Sequence, residues 1–151
     1  MVRRAALADA AAIREVTRAA YAKWVPVIGR EPLPMTADYD LRVRDHLIDL
    51  LYVQGRLVAL IEMVPEADCL LIENVAVLPA FQGRGYGRYL MAHAEGLAAS
   101  LGLPRIRLYT NGRFAENVLL YRELGYQVDR EEPFRSGVVV HMSKLGGGGG
   151  E

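Results

Sequence analysis

The hydrophobic residues near the N-terminus of this chain recur at helical spacing. The stripe consists of Ile13, Val16 and Ala20, and it follows Asp9, a residue type favoured at helix N-caps. The pattern therefore predicts an amphipathic helix that begins near residue 10. Residues 2–5 before it are short enough and mixed enough in polarity to form an edge strand.

A change of pattern follows this helix. Residues 25–37 hold three prolines and a glycine, which predicts a loop. A second helix is predicted from about Asp38 to Ile48. Apolar runs at 50–54 and 56–64 flank Gln54-Gly55-Arg56, which is typical of an antiparallel hairpin.

The middle of the chain alternates between strand and helix patterns. Residues 68–77 are apolar enough for a central strand, and a helix is predicted after the glycines that follow. Gly102 is expected to end that helix. Its apolar stripe consists of Leu90, Ala94, Leu97 and Leu101.

The last third completes the order β-α-α-β-β-β-α-β-α-β-β. The pattern at residues 105–111 predicts a strand. This strand is expected to run parallel to the strand at 68–77 and to be joined to it by a right-handed crossover. A short helix closed by Gly125 lies within 115–126, and two antiparallel strands follow at 126–132 and 137–145. The expected fold is α/β (α+β), with a mixed, mostly antiparallel sheet of about seven strands and helices on both faces.

Composition narrows the class of protein. At 151 residues, with 52% hydrophobic and 24% charged residues, the chain is typical of one globular domain, expected over 1–145. The glycine-rich end, 146–151, is expected to be a flexible tail. The formal net charge of zero argues against a nucleic-acid partner.

Cysteine usage and hydropathy predict the compartment. The single cysteine, Cys69, has no partner for an internal disulfide, which fits a reducing cytoplasm. The N-terminus lacks the apolar core of a signal peptide, because Asp9, Arg14 and Glu15 interrupt it. No apolar run is long enough to span a membrane, so a cytoplasmic protein without a membrane partner is expected.

Candidate chemistry lies between the strand at 68–77 and the next helix. Gly83, Gly85 and Gly87 alternate with other residues there, and Arg84 and Arg88 stand among them. A tight turn rarely needs three glycines. Bare glycines at a helix N-terminus let a phosphate approach the unpaired amides, so the pattern predicts an anion site.

Two familiar phosphate signatures are absent from this turn. The dinucleotide fingerprint fails because Arg88 stands where its last glycine belongs, and no P-loop sequence is present. What remains is Gln82-x-x-Gly85-x-Gly87. It resembles the acetyl-CoA pyrophosphate signature of the GNAT N-acetyltransferase superfamily, and the element order matches that fold over residues 1–145.

A second motif strengthens the resemblance. Residues 116–126 resemble the Asn-x-x-x-Tyr element on the last helix of that family, with Asn117 and Tyr121 in the two positions. The resemblance implies acetyl-CoA as co-substrate. It also implies that the two central parallel strands splay apart, with 108–111 on the parting strand.

The resemblance assigns the cofactor contacts largely to backbone. The pyrophosphate would lie on the amides from Gln82 to Arg88, and the pantetheine arm would pair with the strand before them. Arg84 and Arg88 are either further phosphate contacts or solvated surface charges. The residues so assigned are Val75, Ala76, Val77, Gln82, Gly83, Arg84, Gly85, Tyr86, Gly87, Arg88 and Asn117.

Two residues are candidates for proton transfer. Tyr121 lies four residues after Asn117 on one helix face, and its phenol can protonate a departing thiolate; the alternative is core packing. Glu73 is an acid within an apolar strand and can serve as the base for the amine. A structural carboxylate is the alternative for Glu73, and Glu62 is the alternative base.

The acceptor wall is expected from residues 21–39, where the family builds it. The candidates are Tyr21, Trp24, Met35 and Tyr39. His46, His93 and His141 are dispersed, so no metal is expected.

The leading hypothesis is an N-acetyltransferase that moves acetyl from acetyl-CoA directly to a primary amine of a small molecule. Alternatives are acetylation of a protein N-terminus or lysine, and an acyl-CoA-binding sensor without turnover. The acceptor and the oligomeric state, with a homodimer among the options, stay open.

Overall fold

The computed structural model describes residues 1–146. Of the expected tail 146–151, only Gly146 belongs to the described residues, and its N–H donates to the carbonyl of Pro104 at 2.6 Å. The helices are α1 Ala10–Tyr21, α2 Val25–Ile28, α3 Leu33–Thr36, α4 Tyr39–Asp45, α5 Tyr86–Ser100 and α6 Ala115–Glu123. The strands are β1 Val2–Arg4, β2 Leu47–Val53, β3 Arg56–Pro65, β4 Cys69–Val77, β5 Arg105–Asn111, β6 Gln127–Phe134 and β7 Gly137–Leu145.

The strands form one seven-stranded sheet in the order β1-β2-β3-β4-β5-β7-β6. The sheet is mostly antiparallel, and β4 and β5 are its parallel pair. This architecture confirms the predicted fold class. Within residues 1–146, the structure has no helix of sufficient length and apolarity to cross a membrane.

Contacts within the chain define two compact units. The first comprises Met1–Val64 and Asn74–Met91, and the second comprises Pro65–Glu73 and the chain from Ala92 onward. The boundaries fall inside β4 and inside α5. Each unit is described by itself below.

The first unit is built on the hairpin of β2 and β3. Gln54 and Gly55 both have positive φ, 51° and 78°, as a two-residue type I′ turn requires. This confirms the predicted hairpin. Residues Ile13, Val16 and Ala20 of α1 are buried in a core that also contains Leu50 and Leu60, so the predicted stripe is confirmed as well.

The second helix ends earlier than the sequence pattern predicts. Asp38 is its N-cap, with Oδ1 accepting from the Leu41 N–H at 3.3 Å, but α4 stops at Asp45. Leu47 and Ile48 begin β2 instead, paired with Met63 and Glu62. Tertiary pairing with β3 outweighs the local helical spacing there.

The second unit contains the parallel pair. Pairing runs from Cys69↔Arg105 to Ile72↔Leu108, after which β4 continues to Val77 and β5 to Asn111. β5 also pairs along its whole length with β7. β6 is the outer strand, where Pro133 is tolerated because an edge strand need not donate on both sides.

The buried face of α5 differs from the predicted stripe at its end. Leu90, Met91, Ala94 and Ala98 are buried, whereas Leu101 is 47% exposed. The helix has already ended at Ser100, so Leu101 no longer follows the helical spacing. Gly102, with φ 72°, closes the helix as predicted.

Candidate active site

Two of the three glycines in the β4–α5 turn have backbone conformations that require glycine. Gly83 has φ 77° and Gly85 has φ 89°. A Cβ placed on either residue would meet no atom within 4 Å, so the turn faces open space. Gly87 already lies inside α5. Because Gly83 and Gly85 have no side chains, the backbone of the turn is exposed.

The amides of this turn are available to an anion. The first hydrogen bond of α5 runs from the Tyr89 N–H to the Gly85 carbonyl at 2.9 Å, so the amides of Tyr86 and Gly87 precede it. Such N-terminal amides have no intrahelical acceptor, and they lie at the positive end of the helix dipole. Together with the open glycine surface, they fit a pyrophosphate well.

Gln82 uses its side chain to close the turn. Its Nε2 donates to the Val77 carbonyl at 2.9 Å, which ties the end of β4 to the start of the turn. Its Oε1 accepts from Lys23 Nζ at 3.0 Å. The glutamine of the motif thus holds the loop that presents the backbone amides.

The second unit positions Tyr121 and Asn117 on α6. Tyr121 is buried, and its ring packs edge-on against Tyr126 with centroids 6.1 Å apart. Burial raises the pKa of Tyr121 to about 12. Within residues 1–146 no hydrogen bond to its hydroxyl is present, and the raised pKa keeps the phenol protonated at neutral pH.

A charged cluster fixes the C-terminal end of α6. Lys144 Nζ donates to the Leu124 carbonyl at 2.8 Å and to Glu95 at 3.2 Å. The Tyr126 hydroxyl donates to Glu95 Oε2 at 3.0 Å, and burial raises the pKa of Tyr126. Gly125, with φ 97°, ends the helix as predicted. These contacts fix the end of the helix that carries Tyr121.

Glu73 is half-buried on β4 and faces a tyrosine of the neighbouring strand. The Tyr109 hydroxyl donates to Glu73 Oε2 at 3.0 Å and lies 3.2 Å from Oε1. Burial alternates along β4, with Asn74 and Ala76 buried and Glu73, Val75 and Val77 half-buried. Sequence reasoning placed Tyr109 on the parting strand but did not single it out, because its partner is distant in sequence.

The comparison with protein families decides the identity. A sequence model of the acetyltransferase (GNAT) family matches residues 12–126. The chain belongs to this family. This confirms the family that the two sequence motifs predicted.

Solved GNAT structures share the fold along nearly the whole chain. One is the PaiA N-acetyltransferase of Thermoplasma acidophilum in complex with coenzyme A, with a TM-score of 0.81, 19% identity and coverage of 96% of this chain and 98% of that one. Another is the ribosomal-protein-S18-alanine N-acetyltransferase of Escherichia coli, with a TM-score of 0.80, 20% identity and coverage of 100% and 96%. At these identities the likeness shows the fold alone.

One curated relative is named as an N-alpha-acetyltransferase. N-alpha-acetyltransferase 80 of Mus musculus is 35% identical over 66 residues, which span 44% of this chain and 20% of the mouse protein. The match therefore covers only a small part of that relative.

The predicted acceptor residues of this GNAT chain all belong to the first unit, and most of them are buried. Trp24, Met35 and Tyr39 are buried, whereas Tyr21 is half-buried. Asn74, which the sequence analysis did not single out, connects the two tyrosines. Its Oδ1 accepts from the Tyr21 hydroxyl at 2.8 Å, and its Nδ2 lies 3.5 Å from the Tyr39 hydroxyl.

The alternative base, Glu62, lies fully buried in the first unit. Its Oε2 accepts from the Arg42 guanidinium at 2.8 Å and contacts His46 Nδ1. Its Oε1 has no hydrogen-bond partner in the described structure. The ion pair engages one carboxylate oxygen, and Glu62 stays the alternative base to Glu73.

One other group bears on the chemistry. The Cys69 thiol is buried, and burial raises its pKa, so the thiol stays protonated.

Among residues 1–146 no group of three or more His, Cys, Asp or Glu side chains is arranged to hold a metal ion.

Proposed function

We propose that this GNAT chain transfers the acetyl group of acetyl-CoA directly to a primary amine of a small molecule. The observation that supports the proposal best is the glycine turn, which is open at Gly83 and Gly85 and is followed by N-terminal amides of α5 that precede its first hydrogen bond. Acetyl-CoA supplies the activated thioester; the side chains and amides of this chain bind, orient and move protons.

Binding in the proposed site relies on backbone. The amides from Gly83 to Arg88 hold the pyrophosphate, whereas the Gln82 N–H, which was predicted to join them, donates to the Pro79 carbonyl at 3.3 Å. The Val75–Val77 backbone pairs with the pantetheine amides. Asn117 contributes its side-chain amide, which has no hydrogen bond elsewhere among the described residues. Arg84 and Arg88 add positive charge at the rim.

Proton transfer is assigned to the second unit. Glu73 takes a proton from the acceptor ammonium before attack, and Tyr109 orients the Glu73 carboxylate through its hydroxyl. Tyr121 donates its phenolic proton to the departing sulfur. The neutral amine then forms the C–N bond, and the tetrahedral intermediate collapses by breaking the C–S bond as Tyr121 protonates the sulfur. The nitrogen loses its second proton to the Tyr121 phenolate, which restores the phenol, and Glu73 passes its proton to solvent.

A second candidate acceptor is the N-terminal amine of a peptide. The similarity to the mouse N-alpha-acetyltransferase over 66 residues favours it. An acceptor screen distinguishes the two classes by following free thiol release from acetyl-CoA. Small primary amines form one panel and short peptides with free N-termini form the other, with N-acetylated versions of both as controls. Turnover confined to peptides would contradict the small-molecule proposal.

Replacing Gly85 by leucine should weaken acetyl-CoA binding by roughly 30- to 100-fold, because the side chain fills the space that the phosphate needs while the positive φ is retained. Leucine is chosen because a β-branched residue would add strain at φ 89°. Titration calorimetry measures the affinity, and ligand-induced thermal stabilisation provides a second measurement.

Gly102→Leu is the matched control for this change. Gly102 has φ 72° and open space around its Cβ position, so both substitutions should cost about 1–2 kcal/mol of stability. Only the Gly85 variant should lose binding. Equal affinities in Gly85→Leu and the parent would place the phosphate site elsewhere.

A further inference from the structure

Two arginines share one aromatic ring beside the glycine turn. The Arg56 guanidinium lies 5.3 Å from the centroid of the Phe81 ring, and that of Arg84 lies 5.2 Å from the same centroid. Both arginines are exposed, and Phe81 is half-buried. We call this group the Arg56–Phe81–Arg84 cluster. Arg56 comes from the β2–β3 hairpin, so the sequence gives no sign that it joins Arg84.

The fold explains how the hairpin reaches the turn. The Leu78 N–H donates to the Val58 carbonyl at 2.9 Å, which fixes the end of β4 beside the start of β3. Arg56 lies two residues before Val58, at the first position of β3. Phe81 lies three residues after Leu78, in the short 3-10 turn 79–81. The whole cluster belongs to the first unit.

The cluster has no acidic counterpart. Neither Arg56 nor Arg84 forms an ion pair within the described part of the chain. Residues 74–94 contain no Asp or Glu, although the chain as a whole has 18 acids and 18 Lys and Arg residues. Two like charges held near one ring repel each other, and an exposed cation–π contact contributes only about 0.5–1 kcal/mol. An anion between or beside them would offset that repulsion.

We infer that the Arg56–Phe81–Arg84 cluster binds the 3′-phosphate of the coenzyme A ribose. The inference rests on the proposed use of acetyl-CoA. Coenzyme A has a pyrophosphate, which the turn amides are proposed to hold, and one separate phosphomonoester. A phosphomonoester carries about −1.5 to −2 charges at pH 7. It is therefore the most highly charged phosphate of coenzyme A and the one that cationic side chains bind most strongly. A guanidinium over a ring keeps its N–H edges available for phosphate oxygens.

Coenzyme A and 3′-dephospho-coenzyme A are the probes, because they differ only in this phosphate. Titration calorimetry at one fixed, low ionic strength should give a preference of roughly tenfold or more for coenzyme A in the parent protein. In Arg56→Gln the preference should fall to about twofold, while the affinity for 3′-dephospho-coenzyme A stays within about twofold of the parent value. Arg84→Gln should reduce the preference in the same way.

Arg44→Gln serves as the control. Arg44 is an exposed arginine of the same unit whose side chain lies near Asp45, 3.6 Å away, and it should leave the preference unchanged. Equal binding of the two probes by the parent would overturn the inference. So would an Arg56→Gln variant that weakens both probes equally, because that result indicates a general charge effect. If neither probe binds the parent, the proposed function itself fails, and the inference fails with it.

Discussion

Tyr121→Phe should lower kcat by about 10²-fold or more while leaving acetyl-CoA affinity within a few-fold of the parent. The ring remains to pack against Tyr126, but the proton donor is lost. Steady-state kinetics with an accepted amine, together with calorimetry, measures the two effects separately. An unchanged kcat would mean that Tyr121 only packs in the core and does not donate the proton.

Tyr126→Phe is a matched control for this change. Tyr126 is also buried and lies edge-on to Tyr121, but its hydroxyl is already bound to Glu95. Removing that hydroxyl should lower stability by about 1.5–3 kcal/mol and leave kcat within a few-fold. Equal loss of kcat in both variants would indicate that α6 has moved and would contradict a specific role for Tyr121.

The pKa of Tyr121 sets the pH range in which this role can operate. Burial raises it to about 12, so the phenol stays protonated up to about pH 11 and ionises only above that. The proton is therefore always present at physiological pH. The same shift makes Tyr121 a weaker acid than a free phenol, whose pKa is near ~10. We therefore expect the lower part of the ~10²–10⁴-fold range.

The fold was predictable because local patterns agree with tertiary contacts. The α1 stripe, the Gln54-Gly55 turn and the glycine stops at Gly102 and Gly125 all have the geometry that their residue types favour. The error at Leu47 and Ile48 has the opposite cause. These residues fit a helical spacing, but pairing with Met63 and Glu62 places them in β2.

Sequence patterns could propose those parts of the candidate site that depend on residues close together in the chain. The glycine turn and the Asn117–Tyr121 pair each lie within one short segment. The contacts that sequence analysis missed join distant segments: Tyr109 to Glu73, Asn74 to Tyr21, and Arg56 to Phe81. The hydrophobic periodicity along the chain does not reveal such pairs, because they depend on strand register and on the position of the hairpin. The roles assigned to Glu73 and Tyr121 stay predictions.

Glu73→Gln should lower kcat/KM by about 10²-fold at pH 7 and by much less at pH 10. An acceptor amine with a pKa near ~10 is almost fully protonated at pH 7, so a base must remove its proton before attack. Near pH 10 about half of the amine is already neutral, and the variant no longer needs the base. Glutamine keeps the shape of the side chain and an oxygen acceptor for the Tyr109 hydroxyl.

The pH profile separates this role from structural damage. The parent rate should rise with pH, and the two profiles should converge toward pH 10, a range in which the Tyr121 phenol is still protonated because its pKa is about 12. Glu131→Gln, at an exposed position of β6 in the same unit, should follow the parent throughout. A Glu73→Gln profile parallel to the parent at every pH would mean that the substitution disturbs the geometry around Tyr109. A profile that coincides with the parent would mean that the proton leaves by water or that the enzyme selects the neutral amine, and Glu73 would then have no part in the transfer.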